Sequence, residues 1–277
     1  MAISWTAAQK QRLRELNTTP NLQERIFSDI QERNKTFHST EQLLVKQSKQ
    51  RLLTMRNIHR RPALCKLEIM LANVLIKNGF VQVVTPIILA KNLLAKMSIT
   101  AKHSLFKQVF WVSESKCLRP MLAPNLYYLL RELVRLWEKP IRIFEIGPCF
   151  RKDSGGSYHL NEFTMLNLVE LGLSEEEESQ RLGELATIVM NTADIRKYQL
   201  IPNQCEVYGE TIDIVSDIEV GSGVVGPHIL DAQWGIVDPW VGIGFGLERL
   251  VMVKEGYQNI QRVGRALVYL DGVRLNI

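Results

Sequence analysis

Residues 240–250 read WVGIGFGLERL, with glycine at 242, 244 and 246. Alternate residues of a strand point to the same face, so this segment, drawn as a strand, leaves one face bare of side chains. Glycine weakens a strand interior and often marks close approach of a ligand or another backbone. A helix is expected next, with Arg249 in its first turn. A cation there opposes the helix dipole at a cost of ~0.3–1 kcal/mol. A bound anion reverses that sign, because a hydrogen bond to a charged group contributes about 1.5–3 kcal/mol. A dinucleotide-binding fingerprint is the rival reading. It requires G-x-G-x-x-G opening a βαβ unit, and too few residues follow. Glycines that only relieve crowding are the bland alternative, less attractive beside Arg249.

A second segment, FEIGPCFRKDSGGSYHLNEFTML at 144–166, reads as two strands around a Gly155-Gly156 turn. Arg151 and Lys152 end the first arm, and Asp153 enters the loop. On the second arm Phe163, Met165, Asn167 and Val169 share one side. Asn167 is polar in an apolar row and needs a hydrogen-bond partner if buried. Arg151 can fork two donors onto a phosphate, and Phe163 can offer its face to a flat base. Taken alone, a hairpin with charged ends explains the stretch equally well. In DIEVGSGVVG, Glu219 and Ser222 can offer oxygen ligands to Mg²⁺ bridging ATP phosphates, although a strand glutamate is commonplace.

The rest of the 277 residues supplies the frame. Residues 4–55 read as helices, with Thr6 and Gln9 forming a capping box and Pro20 at a first helical position. RPALCKLEIMLANVLIKNGF is a longer helix closed by Asn78-Gly79, followed by the strand-like FVQVVTPIIL. Strands are also expected at LFKQVFWV, IRIFEIGPCFRK, NEFTMLNLVEL, ETIDIVSDIEVGSGVVG and WVGIGFGL. Helices are expected at PNLYYLLRELVRLWEK, SEEEESQRLGELATIVMN and LERLVMVKEGY. The four glutamates at 175–178 are assigned to a helix start rather than to chemistry. Short turns between consecutive strands predict an α+β fold, an antiparallel sheet flanked by helices, with an N-terminal helical extension.

Charge is uneven. Residues 1–66 hold thirteen Lys and Arg against five acids, whereas the remainder holds 21 against 24. A basic arm on a slightly acidic body suggests an anionic polymer partner, a solvated helical face being the plain alternative. The four cysteines lack zinc-ligand spacing. No apolar run reaches bilayer-spanning length, and the first residues lack a signal-peptide core, so the cytoplasm is the expected compartment.

Two arginines, a stacking aromatic and a bare glycine strand resemble the ATP site of class II aminoacyl-tRNA synthetases. NGFVQVVTPII resembles their first motif, whose proline (here Pro86) belongs to a homodimer interface. FRKDSGGSYHLNEF resembles the second motif and GIGFGLERL the third. LRPMLAPNLYYLL, HLNEFTMLNLVEL and VVGPHILDAQWGI extend the likeness over roughly residues 60–277. The resemblance implies a catalytic domain at 59–277 and a basic, tRNA-contacting extension at 1–58, a short form without a separate N-terminal domain.

It implies that Arg151 and Arg249 grip the α- and γ-phosphates as the catalytic pair. ATP is further held by Asp153, His159, Leu160 and Phe163, and Mg²⁺ by Glu219 and Ser222. It implies an amino-acid pocket of Ala123, Leu126, Tyr127, Leu130, Asn167, Val169, Tyr208, Trp240 and Gly242. Of these, Ala123, Leu126, Tyr127 and Leu130 fall on one helix face by spacing alone, a stripe otherwise read as core. Asp153 stands where the family usually has Glu, and Asn161 where it usually has an acid. The rivals are a catalytically silent RNA-binding paralogue, a ligase that acylates a protein, and a phenylalanine-type specificity.

Overall fold

The computed structural model describes residues 3–152, 155–174 and 176–277. They form two compact units, Met1–Ala63 with Tyr257–Ile277, and Leu64–Gly256.

In the first unit, α1 (Ala7–Glu15) opens with the expected capping box: Gln9 N–H donates to Thr6 Oγ1 at 3.2 Å and Thr6 N–H to Gln9 Oε1 at 3.1 Å. Pro20 starts the short α2 (Pro20–Gln23), and α3 (Ile30–Thr54) runs unbroken for 25 residues from an Asp29 cap. Trp5, Leu13 and Phe27 make a small core. The C-terminal segment packs with these helices. Buried Arg262 donates to the Arg14 and Glu15 carbonyls at 2.8 and 2.6 Å, satisfying the end of α1 with a cation where the helix dipole favours one. Lys35, Lys46 and Lys49 on α3, which has no fully buried residue, and Arg56, Arg60 and Arg61 beyond its end are exposed.

The second unit begins with α4 (Ala63–Lys77), whose Leu64, Leu67, Leu71 and Leu75 face inward at helical spacing. Gly79, at φ 82°, turns the chain out of it. The elements β1 (Val81–Gln82), β2 (Ile88–Ala90), α5 (Lys91–Lys96), α6 (Ser104–Gln108), β3 (Lys116–Leu118) and α7 (Ala123–Leu133) follow. Then come β4 (Ile141–Phe150), β5 (Glu162–Leu171), α8 (Glu178–Thr192), β6 (Gln199–Cys205), β7 (Gly209–Val215), β8 (Glu219–Gly226), β9 (Trp240–Gly246) and α9 (Leu247–Glu255). Seven strands form one sheet in the order β1-β4-β5-β9-β8-β7-β6. All pairs are antiparallel except β1 with β4. The long excursion between those two strands supplies the crossover that parallel pairing needs.

Three local expectations change, and one strand, β6, is unexpected. LFKQVFWV is not a strand. Leu105 and Val109, both buried, sit four apart, which is helical spacing, and His103 caps α6 by accepting from Leu105 N–H at 3.0 Å. FVQVVTPIIL pairs only at Val81–Gln82 and Ile88–Ala90, because Thr85 and Pro86 enter a buried polar cluster. β6 carries no alternation signal: every residue is exposed, and Pro202 is tolerated because the strand lies at the sheet edge. Of the four glutamates, only Glu178 lies within α8; Glu176 and Glu177 precede it, and Glu175 lies outside the described residues.

The two sheet faces divide the labour. Leu166, Leu168, Ile243 and Phe245 are buried on one face, and Gly223 on that side lets Leu182 of α8 approach, since a Cβ there would lie 2.7 Å from Leu182 Cδ1. The other face carries Phe163, Met165, Asn167 and Val169 beside the bare strand β9.

Candidate active site

Register places the site. Met165 pairs with Gly246, Asn167 with Gly244 and Val169 with Gly242. Gly244 in turn pairs with Ser222, and Ser222 with Asp213. Directly paired residues point the same way, so Asn167, Ser222 and Asp213 form one row across a glycine gap. The three glycines are half-exposed while Val241, Ile243 and Phe245 between them are buried.

At one end of these strands lie the charged groups. Arg151 follows β4; its Nε donates to the Pro120 carbonyl at 2.8 Å and its guanidinium carbon lies 5.4 Å from the Phe163 ring centroid. Arg151 N–H donates to the Asn161 carbonyl at 3.0 Å, closing the loop that carries His159 (exposed) and Leu160 (half-buried). Asp153 lies outside the described residues. Arg249, in the first turn of α9, donates from Nη1 to the Glu219 carbonyl at 3.0 Å, with the Glu219 carboxylate 3.5 Å away. Three strand spacings separate β4 from β8, about 14 Å in all.

Glu219 and Ser222 are three residues apart, and a regular strand would put them on opposite faces. The pairing slips between Ile214 and Val215, so that Asp213 opposes Ser222 while Val215 opposes Glu219. This bulge brings Glu219 round to the face of Ser222. The Ser222 hydroxyl donates to Asp213 Oδ1 at 2.8 Å, leaving its lone pairs free as acceptors. No cluster of three or more metal-ligating His, Cys, Asp or Glu side chains occurs among the described residues.

Further along the same face is an aromatic pocket. Leu126, Tyr127 and Leu130 are buried on α7, and Ala123 is half-buried at its start. Tyr127 stacks on Trp234 at 5.4 Å and meets Trp240 edge-on at 5.7 Å. These residues share one apolar cluster with Val169 and Tyr208. A Cβ at Gly242 would stand 2.8 Å from the Trp240 ring. Asn167 Oδ1 is buried without a hydrogen-bond partner, and burial, with Tyr208 and Asp231 beside it, pushes the Tyr127 phenol well above its ordinary range.

Sequence reading missed several residues that build this site. Asp231 Oδ2 accepts from Trp240 Nε1 at 2.7 Å and from His228 N–H at 2.6 Å, fixing the indole. Glu248 looks like a surface acid in the first turn of a helix. It is buried, and both its oxygens accept from Thr164 N–H at 2.9 Å, tying α9 to β5. Only an acid among buried neighbours at 247 and 250–252 hinted at this.

The cysteines stay out of the chemistry. Burial pushes the Cys149 thiol up to about 12 and Cys117 up to about 11, so both remain protonated at neutral pH, whereas Cys65 and Cys205 are exposed. Native protein treated with iodoacetamide at pH 8 is expected to gain two labels, on Cys65 and Cys205, by intact mass and peptide mapping. Labelling of Cys149 at a comparable rate would contradict this.

Residues 47–271 match the family model for the tRNA synthetases class II core domain (F), and the chain belongs to the class II aminoacyl-tRNA synthetases. A crystal structure of pyrrolysyl-tRNA synthetase from Desulfitobacterium hafniense is 55% identical, superimposes with a TM-score of 0.94, and covers 100% of each chain. The O-phosphoserine–tRNA(Cys) ligase of Methanocorpusculum labreanum is 27% identical over 50% of this chain and 28% of its own. The phenylalanine–tRNA ligase alpha subunit of Sulfurisphaera tokodaii is 33% identical over 44% and 27%. The chain thus spans less than a third of the length of these two curated relatives. No helix among the described residues is long and apolar enough to cross a membrane.

Proposed function

We propose that this chain is a pyrrolysine–tRNA ligase, which activates pyrrolysine with ATP and transfers it to the 3′ end of tRNA(Pyl). The observation that carries the reading is the continuous sheet face. Two arginines and Phe163 stand at its end, the bare glycines form its floor, and an aromatic pocket with Asn167 at its mouth lies beyond. Whole-length similarity at 55% identity to a pyrrolysyl-tRNA synthetase supports the choice of amino acid over the phenylalanine-type alternative.

In this reading a carboxylate oxygen of the amino acid attacks the α-phosphorus of ATP, and the bond to the bridging oxygen breaks to release pyrophosphate. A terminal ribose hydroxyl of the tRNA then takes the acyl group and AMP leaves. Arg151 holds the α-phosphate and Arg249 the γ-phosphate. Phe163 stacks on adenine, flanked by His159, Leu160 and Asp153. The reaction needs no nucleophile from the protein, which supplies position and fixed charge. Glu219 and Ser222 fit Mg²⁺, being hard oxygen donors on one face, with the Ser222 proton committed to Asp213. When bound, the ion neutralises phosphate charge. Exchange of labelled pyrophosphate into ATP with a panel of amino acids tests the assignment. Pyrrolysine and bulky acyl-lysines should support exchange, and activity with phenylalanine alone would refute it.

The exposed cations of α3 and the turn after it suit a tRNA backbone, since phosphate contacts position without specifying. With six or more such contacts, tRNA affinity should fall at least about 10³-fold between 50 and 200 mM salt, measured by filter binding. A flat response would remove tRNA from this surface. A homodimer is supported by apolar residues left exposed around Pro86, namely Val81, Val84, Ile87 and Ile88, and by Ile69, Met70 and Ile76 on α4. The proposed compartment is the cytoplasm.

A further inference from the structure

We propose that Arg119 and Glu145 are positioning residues for adenylate formation, holding Arg151 and the α7 pocket wall in one register through a single buried polar cluster. Arg119 Nη1 donates to Glu145 Oε1 at 2.7 Å, and both side chains are 2% exposed. Each Glu145 oxygen is used: Oε1 also accepts from Thr85 N–H at 3.1 Å, and Oε2 from the Thr85 hydroxyl at 2.6 Å. Arg119 further donates to the Thr85 carbonyl and to the Pro148 carbonyl, at 3.1 and 2.8 Å.

Two arms leave this cluster. On one side the Arg119 main chain is pinned between Ile87 and Phe150, its N–H donating to the Ile87 carbonyl and its carbonyl accepting from Phe150 N–H, both at 3.0 Å. The next carbonyl, of Pro120, accepts from Arg151 Nε at 2.8 Å. On the other side Asn125 of α7 donates to Thr85 Oγ1 and to the Pro86 carbonyl at 2.9 and 3.0 Å. The residues that follow, Leu126 and Tyr127, are pocket wall. Glu145 also pairs with Asn167 across the sheet. Gly147 makes the arrangement possible, because a Cβ there would collide with Arg119 Nη2.

A buried ion pair is an uneconomical source of stability, since apolar residues of like volume often replace one without loss. Its value here is directional. Neither apolar packing nor a flexible loop fixes the Pro120 carbonyl against both β4 and α7. The same pair aims the guanidinium at the α-phosphate and sets the helix against which the amino acid rests.

This inference rests on the proposed ligase activity, so wild-type exchange is measured first. The variant Arg119→Met/Glu145→Leu is expected to fold with a lowered melting temperature, because the Thr85 N–H and the Thr85 and Pro148 carbonyls lose their partners, and to lose about 100-fold in kcat for exchange. Should that variant not fold, Glu145→Gln, which keeps the volume, is expected to show the same loss in kcat with KM for ATP little changed. In an Arg151→Lys background the further loss on disrupting the pair should shrink to less than about threefold, because both changes remove one interaction. Wild-type kcat in a folded pair variant, or an undiminished loss in the Arg151→Lys background, would overturn the inference while leaving the activity assignment intact. Absence of exchange in the wild type overturns both.

Discussion

Arg151→Ala is expected to lower ATP–pyrophosphate exchange by about 10²–10³-fold or more, the cost of removing a preorganised group from developing phosphate charge. The fold should persist. Arg151 is half-buried at the end of its strand; among its contacts are a hydrogen bond to the Pro120 carbonyl and the face of Phe163. A cation–π contact of that kind contributes ~0.5–1 kcal/mol, so the melting temperature should move by only a few degrees. Arg151→Lys should fall between, because an ammonium keeps the charge and loses the planar fork. The measurement is exchange kinetics beside a thermal melt on the same preparation. Near-normal exchange in Arg151→Ala would mean that the α-phosphate is held elsewhere.

The parts of this site that could be read from the sequence are those with a fixed period. Phe163, Met165, Asn167 and Val169 share a face because strand side chains alternate, and the register then sets the last three against Gly246, Gly244 and Gly242. Ala123, Leu126, Tyr127 and Leu130 share a helix face for the same kind of reason. What stayed hidden depends on partners distant in the chain. The bulge that brings Glu219 beside Ser222 is one extra residue in a ladder and leaves no compositional mark. Glu145 reads as an ordinary charged residue in a strand until Arg119 and Thr85 are folded onto it, from 26 and 60 residues away. LFKQVFWV misled because its apolar residues suit a strand and its helical Leu105–Val109 spacing is only one turn long.

Free lysine is expected to support exchange at no more than about a thousandth of the kcat/KM of an acyl-lysine. Its ammonium would give up water for a wall of Leu126, Leu130, Val169 and Trp240, all buried, a loss of several kcal/mol when no partner replaces the solvent. Asp231 lies close to this wall, but its Oδ2 already accepts from Trp240 Nε1 and His228 N–H. The acyl-lysine instead brings a neutral amide, and half-buried Asn167, whose enclosed Oδ1 lacks a hydrogen-bond partner, stands on the pocket face to meet it. Asn167→Ala should therefore cost the acyl-lysine about 10-fold or somewhat more, the contribution of one hydrogen bond in a dry site. The same change should leave free lysine nearly unaffected, narrowing the ratio between them. Chain length should matter less, since a methylene in such a pocket contributes only about 1–3 kcal/mol. Comparable rates for lysine and acyl-lysine in the wild type would overturn this account, and would make the open Oδ1 of Asp231 the counter-charge of an ammonium.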